Sequence, residues 1–284
     1  MATPHLRKPR RAEEQRPVER LFQHYLIEKE ISDRLRNATR AQRLELYSRA
    51  YDELFQRVAD HPQITRKSTA DTRRLEGRVN MLRPFLNKNT RFLEIGAGDC
   101  ALSFQIAPLV KEVHAVDVSM TISQREWKPE NFEFHLIDGI DFATADQSID
   151  LAFSDQLMEH LHPDDACEQL ANIHRTLANG GRYVCITPSR LSGPHDVSYY
   201  FADAAEGLHL KEYGYLDLVP MMRQVGFRGV YGLIGPSGWN LLVPGIALGW
   251  FERLVMFSPT AMRHRIMNSG VGRTLLGVAV CATK

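Results

Sequence analysis

Apolar positions in the first third of the chain recur at the spacing of a helix. Between Val18 and Arg83 they return every three or four residues, as expected when helices bury one face. Pro62 interrupts this pattern, and a further amphipathic stretch, TADTRRLEGRVNMLRPFL, follows it. The pattern predicts an N-terminal helical cap over residues 18–83, with these apolar positions inside: Leu21, Phe22, Tyr25, Leu26, Ile31, Leu35, Leu44, Tyr47, Tyr51, Leu54, Phe55 and Val58.

From Thr90 onward, short β-rich runs alternate with helical patterns. The runs read RFLEI, VHAVDV, FEFHLID, IDLAFS and RYVCITP, and two later ones read FRGVYGLI and TLLGVAVCAT. Alternation of this kind predicts a mostly parallel sheet with helices on both faces. The sequence therefore predicts one α/β domain over residues 84–284.

A long connection over about residues 235–273 separates the last two predicted strands. Its apolar part, NLLVPGIALGWFERLVMF, falls short of a transmembrane helix, and Pro244, Glu252 and Arg253 interrupt it. The pattern favours a buried or cap helix, and a helix lying on a membrane surface stays open as an alternative. We expect this insertion to form a lid whose apolar side chains shape a substrate pocket.

The charge composition limits the kinds of binding partner that the chain can attract. The chain has 284 residues, and its 35 Lys and Arg against 34 Asp and Glu give a net charge of +1. No whole-molecule field therefore attracts nucleic acid or an anionic membrane. The basic cluster at Arg7, Lys8, Arg10 and Arg11 lies in residues 1–17, for which we expect a disordered tail.

The cysteines and the N-terminus indicate a cytoplasmic protein. The four cysteines contain no CxxC pair, which argues against a zinc site or a disulfide framework: Cys100, Cys167, Cys185 and Cys281. A reducing compartment fits this usage. The first residues show neither a secretory nor an organelle-targeting pattern.

A glycine-containing turn follows the first predicted strand. Gly96, Gly98 and Ala101 fit the dinucleotide pattern G-x-G-x-x-G/A, and Asp117 follows at the distance of a ribose-binding acid. A nicotinamide cofactor is therefore possible on spacing alone. Glu94, however, stands at the end of the strand, where a carboxylate repels a pyrophosphate and suits an ammonium. The residues favour a nucleoside joined to a cationic amino acid.

Five segments between residues 90 and 235 resemble class I S-adenosylmethionine-dependent methyltransferases, in the family's order. LEIGAGDC resembles the first motif, E/D-x-G-x-G-x-G, with Cys100 in place of the third glycine. AVDVS and LIDGIDF resemble the second and third motifs, and SIDLAFSDQLMEHL and LANGGRYVCITP resemble the segments around the fourth and fifth strands. The resemblance implies a Rossmann-like sheet of seven mostly parallel strands whose last strand is antiparallel, and it implies S-adenosyl-L-methionine as the cofactor.

The resemblance also implies roles for individual residues. Asp117 would hold both ribose hydroxyls, because one carboxylate can accept two hydrogen bonds from a diol. Asp138 and its neighbours would flank the adenine, although Asp141 could share this role. The predicted cofactor-binding residues are Glu94, Gly96, Ala97, Gly98, Asp117, Val118, Asp138, Gly139, Ile140 and Ser154.

Methyl transfer is an in-line displacement, so alignment contributes more than a base. Alignment is worth about 7–11 kcal/mol, whereas a general base adds about 10²–10⁴-fold. His195 and His209, in the loop after the fifth strand, are the predicted catalytic bases, and binding loop carbonyls explains each equally well. The predicted substrate-binding residues are His160, for which a structural role is favoured over catalysis, Tyr199 and Tyr200.

We expect no metal. His195, Asp196 and His209 could hold one, but most methyltransferases of this kind use none.

The turn after the fourth strand bears on the acceptor. It reads SDQLM, whereas enzymes that methylate nucleobase or glutamine amines carry Asn/Asp-Pro-Pro-Tyr there. The sequence therefore favours a hydroxyl of a small molecule, with no nucleic-acid partner and no stable membrane insertion. Three alternatives remain open: an NAD(P)-dependent oxidoreductase, a cofactor-binding scaffold without activity, and an RNA-directed methyltransferase that uses the basic N-terminal arm.

Overall fold

The computed structural model describes residues 5–65, 69–119, 127–142, 144–235 and 241–284, and within them eight strands form one sheet. Continuous apolar runs make the central strands, as expected where helices cover both faces of a sheet. Phe92 and Leu93 in β1 and Leu151 and Phe153 in β4 are fully buried. The strands are β1 Arg91–Ile95, β2 Glu112–Asp117, β3 Phe132–Leu136, β4 Ile149–Asp155, β5 Leu177–Thr187, β6 Gly229–Ile234, β7 Leu241–Pro244 and β8 Val278–Thr283.

The strand order is β3-β2-β1-β4-β5-β8-β6-β7. The first five strands pair in parallel, and β8 is antiparallel to both β5 and β6. The α/β fold class and the antiparallel last strand are thus confirmed. The predicted count of seven strands is wrong, because Leu241–Pro244 of the insertion pairs with β6 as an eighth, edge strand.

Helices precede the sheet and alternate with its strands. They are α1 Val18–Asn37, α2 Arg40–Arg57, α3 Pro62–Thr65, α4 Thr69–Leu82, α5 Ala101–Ile106, α6 Pro163–Thr176, α7 Tyr215–Gln224, α8 Gly245–Met256, α9 Thr260–Asn268 and α10 Gly270–Leu276. A capping box starts α2, in which Thr39 and Gln42 exchange hydrogen bonds. The apolar face of α1 and α2 shares one core with the sheet, where Leu35 and Leu54 lie with Val116 and Ile140.

A buried carboxylate joins α2 to α6. Asp165 accepts two hydrogen bonds of 2.6 Å from the Arg43 guanidinium and one of 2.7 Å from the Tyr47 hydroxyl. The Tyr47 oxygen in turn accepts from the His162 backbone N–H. Burial by itself raises the pKa of Asp165, but the bonds from Arg43 and Tyr47 outweigh it and hold the pKa below its usual value. This cluster fixes α2 against the sheet domain.

Residues 5–17, which belong to the segment predicted as a disordered tail, contact the folded domain, and the disorder itself stays a prediction. The Arg7 N–H donates to the Tyr200 carbonyl at 2.8 Å, and the cations of Lys8 and Arg11 lie 4.8 and 4.3 Å from the centre of the Tyr199 ring. Aromatic faces attract such cations, which explains why the segment packs. Residues 1–4 lie outside the described residues.

The insertion does not cover the glycine turn. Its strand β7 and helix α8 belong to the β6 end of the sheet, and β4, β5 and β8 separate them from β1. It reaches the loop after β5 through a hydrogen bond of 2.9 Å from Arg190 to Glu252. Apolar residues on its outer face, such as Trp250 and Leu254, are exposed instead of lining a pocket. Residues 236–240 of the insertion lie outside the described residues. No helix in the described part of the chain has the length and apolarity of a membrane span.

We expect D165N to lower the free energy of unfolding by about 3–5 kcal/mol, since it leaves the Arg43 charge buried without its counter-ion. The matched control is E168Q. Glu168 pairs with Arg40 across the same two helices, but both side chains are largely exposed, so a loss of under about 1 kcal/mol is expected. Urea unfolding of both variants measures the difference. Equal losses would contradict a special role for the buried pair.

Candidate active site

The turn after β1 has the backbone that its glycines predict. Gly96 and Gly98 have φ values of +71° and +53°, in the left-handed region that favours glycine. A Cβ at Gly98 would meet no described atom within 4 Å, so its backbone faces open space. Cys100, at the position of the motif's third glycine, keeps a left-handed φ of 58° and starts α5. Cys100 in place of the motif's third glycine therefore adds a side chain but keeps the left-handed bend of the backbone.

Asp117 ties this turn to the end of β2. Its two carboxylate oxygens accept hydrogen bonds from the Gly98 N–H at 2.8 Å and from the Ser119 N–H at 3.1 Å. Burial raises the pKa of Asp117. Each carboxylate oxygen has a second lone pair, so the side chain can still accept hydrogen bonds from a diol that enters the open space beside Gly98.

A cavity of about 480 Å³ continues from the ends of β2 and β3, and α2 covers it in part. Val118 and Asp138 line it together with Leu44 and Ser48 of α2. One oxygen of Asp138 accepts from the backbone N–H groups of Ile140 and Asp141, which shapes the bend around Gly139. The size and position of the cavity suit a planar base held next to a ribose.

Glu94 differs from the free carboxylate that the sequence led us to expect. Its Oε2 accepts hydrogen bonds from both the N–H and the hydroxyl of Ser103, at 2.9 and 2.5 Å. Burial raises the pKa of Glu94 to about 8, so the group is mostly protonated at neutral pH. A nearby cation would favour its carboxylate form.

Two predicted cofactor-binding residues, Ser154 and Ala97, are buried. Ser154 is fully buried in β4, and its hydroxyl bonds the Tyr183 hydroxyl at 2.7 Å. The side chain therefore faces the core, and its role toward the cofactor stays a prediction. Ala97 is buried, and its N–H donates to the Val116 carbonyl, which holds the glycine turn against β2.

Comparison with known proteins indicates the family to which this part of the chain is similar. Residues 92–181 match the family model described as a methyltransferase domain. Residues 92–181 therefore form a methyltransferase domain. Its cofactor is S-adenosyl-L-methionine, and the match favours methyl transfer over the nicotinamide alternative. No curated protein matches the chain.

Solved structures share the fold at low identity. A chain from the complex of the Haloferax volcanii Trm112 methyltransferase activator is similar with a TM-score of 0.53 and 15% identity, over 75% of this chain and 90% of that one. Methyltransferases from Archaeoglobus fulgidus (TM-score 0.49, 18% identity, 75% and 94% covered) and Mesorhizobium loti (0.47, 13%, 73% and 98%) are also similar.

The residues at the glycine turn fit the cofactor of this methyltransferase. The open backbone at Gly98, the carboxylate of Asp117 and the cavity beside Asp138 lie in sequence along the ends of β1, β2 and β3. Ligands bind at this edge in open α/β sheets.

On the other side of the methyltransferase site, a turn after β4 carries two titratable residues. Glu159 is fully buried, and burial raises its pKa to about 7. Its Oε2 accepts from the Thr187 hydroxyl at 2.9 Å, while its Oε1 has no hydrogen-bond partner among the described residues. His160 lies beside it, with Nδ1 3.0 Å from the Leu208 carbonyl. Burial lowers the pKa of His160 to about 3, so the ring is neutral.

The loop after β5 brings two histidines to one carboxylate. Glu212 accepts from Nδ1 of His209 at 2.8 Å and lies 3.3 Å from Nδ1 of His195. Burial raises the pKa of Glu212, but these two bonds outweigh it and hold the pKa at about 2. The His209 ring stands across the His160 ring with 5.0 Å between centres. Burial lowers the pKa of His209, but the bond to Glu212 and the charge of Glu159 outweigh it and raise the pKa.

The N-terminal helices close this side of the site. Glu28 of α1 accepts from His24 at 2.7 Å and from the Leu208 N–H at 3.1 Å, which holds the His209 loop onto the helix. The Tyr51 ring of α2 lies 5.7 Å from the His160 ring. Burial and the charges of Glu159, Glu28 and Asp117 raise the pKa of Tyr51 well above its usual value. Tyr51 therefore lies near the predicted cofactor-binding residue Asp117 as well as near Glu159 and His160.

Two predicted substrate residues lie elsewhere. Tyr200 is buried with Leu21 and Tyr25 of α1, and Tyr199 holds the N-terminal cations. Both pack against α1, and a role in acceptor binding stays a prediction. His195 touches the site only through Glu212.

Sequence reasoning missed four residues of this methyltransferase site. Glu159 precedes His160 in LMEHLHP, and Glu212 follows His209 by three residues, so the charged neighbours of each histidine carried a signal. Tyr51 was predicted only as a core position, and the contact of Glu28 with the His209 loop could not be foreseen because Leu208 lies 180 residues away.

We expect binding of S-adenosylhomocysteine at pH 7 to release a proton from Glu94. The carboxyl is protonated in the free protein, and the ammonium of the ligand favours the carboxylate. Because the complex then holds fewer protons, affinity should rise with pH up to the pKa of the free protein, about 8. Calorimetric titration in two buffers with different ionisation enthalpies counts the protons.

The control is E94Q, which keeps an acceptor oxygen for Ser103 and cannot ionise. In this variant the proton release should disappear and the rise in affinity with pH should flatten. The same proton count in both proteins would rule out Glu94 as the source.

Proposed function

We propose that this methyltransferase transfers the methyl group of S-adenosylmethionine to a hydroxyl oxygen of a small-molecule acceptor. The observation that carries the proposal is the group of carboxylates and imidazoles formed by the turn after β4 and the loop after β5: Glu159, His160, His209 and Glu212. A hydroxyl must lose its proton as the oxygen is methylated, and this group offers a place for that proton.

The N-terminal helices enclose the site, and this enclosure supports a small acceptor. The helices α1 and α2 lie over the acceptor side, held there by the bond from Leu208 to Glu28 and by the buried pair of Arg43 with Asp165. Such a cover excludes water, which strengthens the electrostatic interactions inside. A duplex or a folded RNA does not fit below two packed helices.

The basic N-terminal residues are occupied within the chain, which weakens the RNA-directed alternative. Arg7 pairs with Asp203 at 3.0 Å, and Lys8 and Arg11 lie on Tyr199. Moreover, Glu14 pairs with Arg16 in the same segment.

In the proposed reaction, His209 takes the proton of the acceptor hydroxyl. Its Nδ1 donates to Glu212, so the second ring nitrogen offers a lone pair when the ring is neutral. The Glu212 carboxylate fixes the orientation of the ring and stabilises the imidazolium that forms. S-adenosylmethionine supplies an electrophilic methyl group when bound, and the protein aligns the acceptor oxygen and keeps water out.

We expect H209A to lower turnover at least tenfold while its affinity for S-adenosylhomocysteine stays unchanged, because the base is lost and the cofactor side is intact. H195A is the matched control: it contacts the same Glu212 from a partly exposed position and should lose less. Transfer of labelled methyl groups to a panel of phenol, catechol and sugar acceptors measures turnover. Wild-type rates from both variants would eliminate the proposal.

A further inference from the structure

We infer that Glu159, His160 and His209 form a binding site for a divalent first-row transition-metal ion. Each of the three offers one ligand atom, and these atoms all lie within 4.8 Å of one another. Nε2 of His160 is 4.0 Å from Oε1 of Glu159. Two imidazoles and one carboxylate make a recurring set of metal ligands.

Each ligand has its coordinating atom available. Oε1 of Glu159 is buried without a hydrogen-bond partner among the described residues. A buried polar atom without a partner is costly, and a cation would relieve that cost. Nδ1 of His160 faces the Leu208 carbonyl, so its proton belongs there and the lone pair is on Nε2.

The surroundings of the histidines match those of metal ligands. Nδ1 of His209 faces Glu212, as Nδ1 of His160 faces a carbonyl. Metal-binding histidines usually donate their other ring N–H to a carboxylate or a carbonyl, which fixes the ring and its tautomer. The same two contacts therefore orient both rings for one cation.

Two other clusters in the described residues are less suited. In the cluster of His24, Glu28 and His61, both oxygens of Glu28 already accept hydrogen bonds. The cluster of His114, Glu133 and His135 lies on β2 and β3, and Glu133 is mostly exposed. The latter cluster serves as a control.

The ligand set selects the class of metal. Imidazoles suit Fe²⁺, Ni²⁺, Cu²⁺ and Zn²⁺, whereas Mg²⁺ and Mn²⁺ prefer oxygen ligands. Three protein ligands leave positions open for water or for an acceptor oxygen. A cation there would hold His209 as a ligand and lower the pKa of a bound hydroxyl. His209 takes the proton itself only where no cation is bound. This consequence rests on the proposed function, but the site itself does not.

The test is a titration of the full chain, freed of metal by dialysis against a chelator, with Co²⁺. We expect one equivalent to bind with visible d–d absorption bands, and excess Mg²⁺ not to displace it. E159Q and H160A should each weaken binding at least tenfold, while the double variant H114A/H135A retains it. Unchanged affinity of these variants for S-adenosylhomocysteine shows that the fold is intact.

Absence of Co²⁺ binding, binding that E159Q leaves unchanged, or binding lost in H114A/H135A would overturn the metal site. Full methyl transfer by the chelator-treated protein would overturn the role of the metal in the reaction and leave the proposed function standing.

The outer surface of the insertion carries a second, independent inference. Ile246, Trp250, Leu254 and Phe257 lie along one side of α8 and its end, and 44–80% of each residue is exposed. Leu241 and Leu242 of β7 and Met262 of α9 are exposed as well. We call the four residues of α8 and its end the apolar face. A row of exposed apolar residues on one side of a helix marks a binding surface.

The segment that carries the apolar face is basic. Residues 241–284 contain four arginines and a single acid, Glu252, which is buried and bonded to Arg190. Arg253 lies over the rings of Trp250 and Phe257. Aromatic and aliphatic side chains flanked by arginines are typical of helices that lie in the headgroup region of anionic membranes. We propose that the apolar face docks on an anionic phospholipid bilayer.

Sedimentation with vesicles tests the docking. We expect binding to vesicles of phosphatidylglycerol and phosphatidylcholine, weaker binding in high salt, and little binding to phosphatidylcholine alone. W250E/L254E should reduce binding at least tenfold. W127E is the matched control, because Trp127 is exposed and packs on Phe104 of α5, and it should bind as the wild type does. A dimer in light scattering that W250E/L254E dissociates, without vesicle binding, would overturn the proposal.

Discussion

The position of the N-terminal helices depends on one buried charge. Asp165 lies in the first turn of α6, is almost fully buried and is stabilised only if a cation and a hydroxyl reach it. Arg43 and Tyr47 supply both from α2. Tyr51 lies four residues beyond Tyr47, on the same face of the helix, and it therefore contacts His160. The pairing of Asp165 with Arg43 and Tyr47 thus fixes the position of α2, which covers the side of the site where we propose that the acceptor binds.

Burial then gives neighbouring groups different protonation states. Where burial dominates, as in Glu94 and Glu159, the pKa of the carboxyl rises to about 8 and about 7. Where two histidines donate to a carboxylate, as in Glu212, the pKa falls to about 2. The site therefore holds protonated and charged carboxyl groups close together at neutral pH, and this separation of pKa values is typical of catalytic sites.

The insertion connects the β6 end of the sheet to the loop after β5. Glu252 of α8 accepts from Arg190 in the loop after β5 and from the Leu216 N–H at the start of α7. The same loop continues to His209 and Glu212. The insertion is thus connected to the acceptor side through this loop, while its apolar face remains turned outward.

The sequence by itself determined the features that depend on local spacing. Periodicity predicted the alternation of strands and helices, and the glycine turn with Asp117 was predictable because its residues lie within 25 positions of one another. Only the tertiary structure decided the edge strand β7, the burial of Ser154 and the contacts of Glu159 and Tyr51. These depend on which faces of distant segments meet. The bond between Tyr47 and Asp165, for example, joins residues 118 positions apart, and no local pattern encodes such a distance.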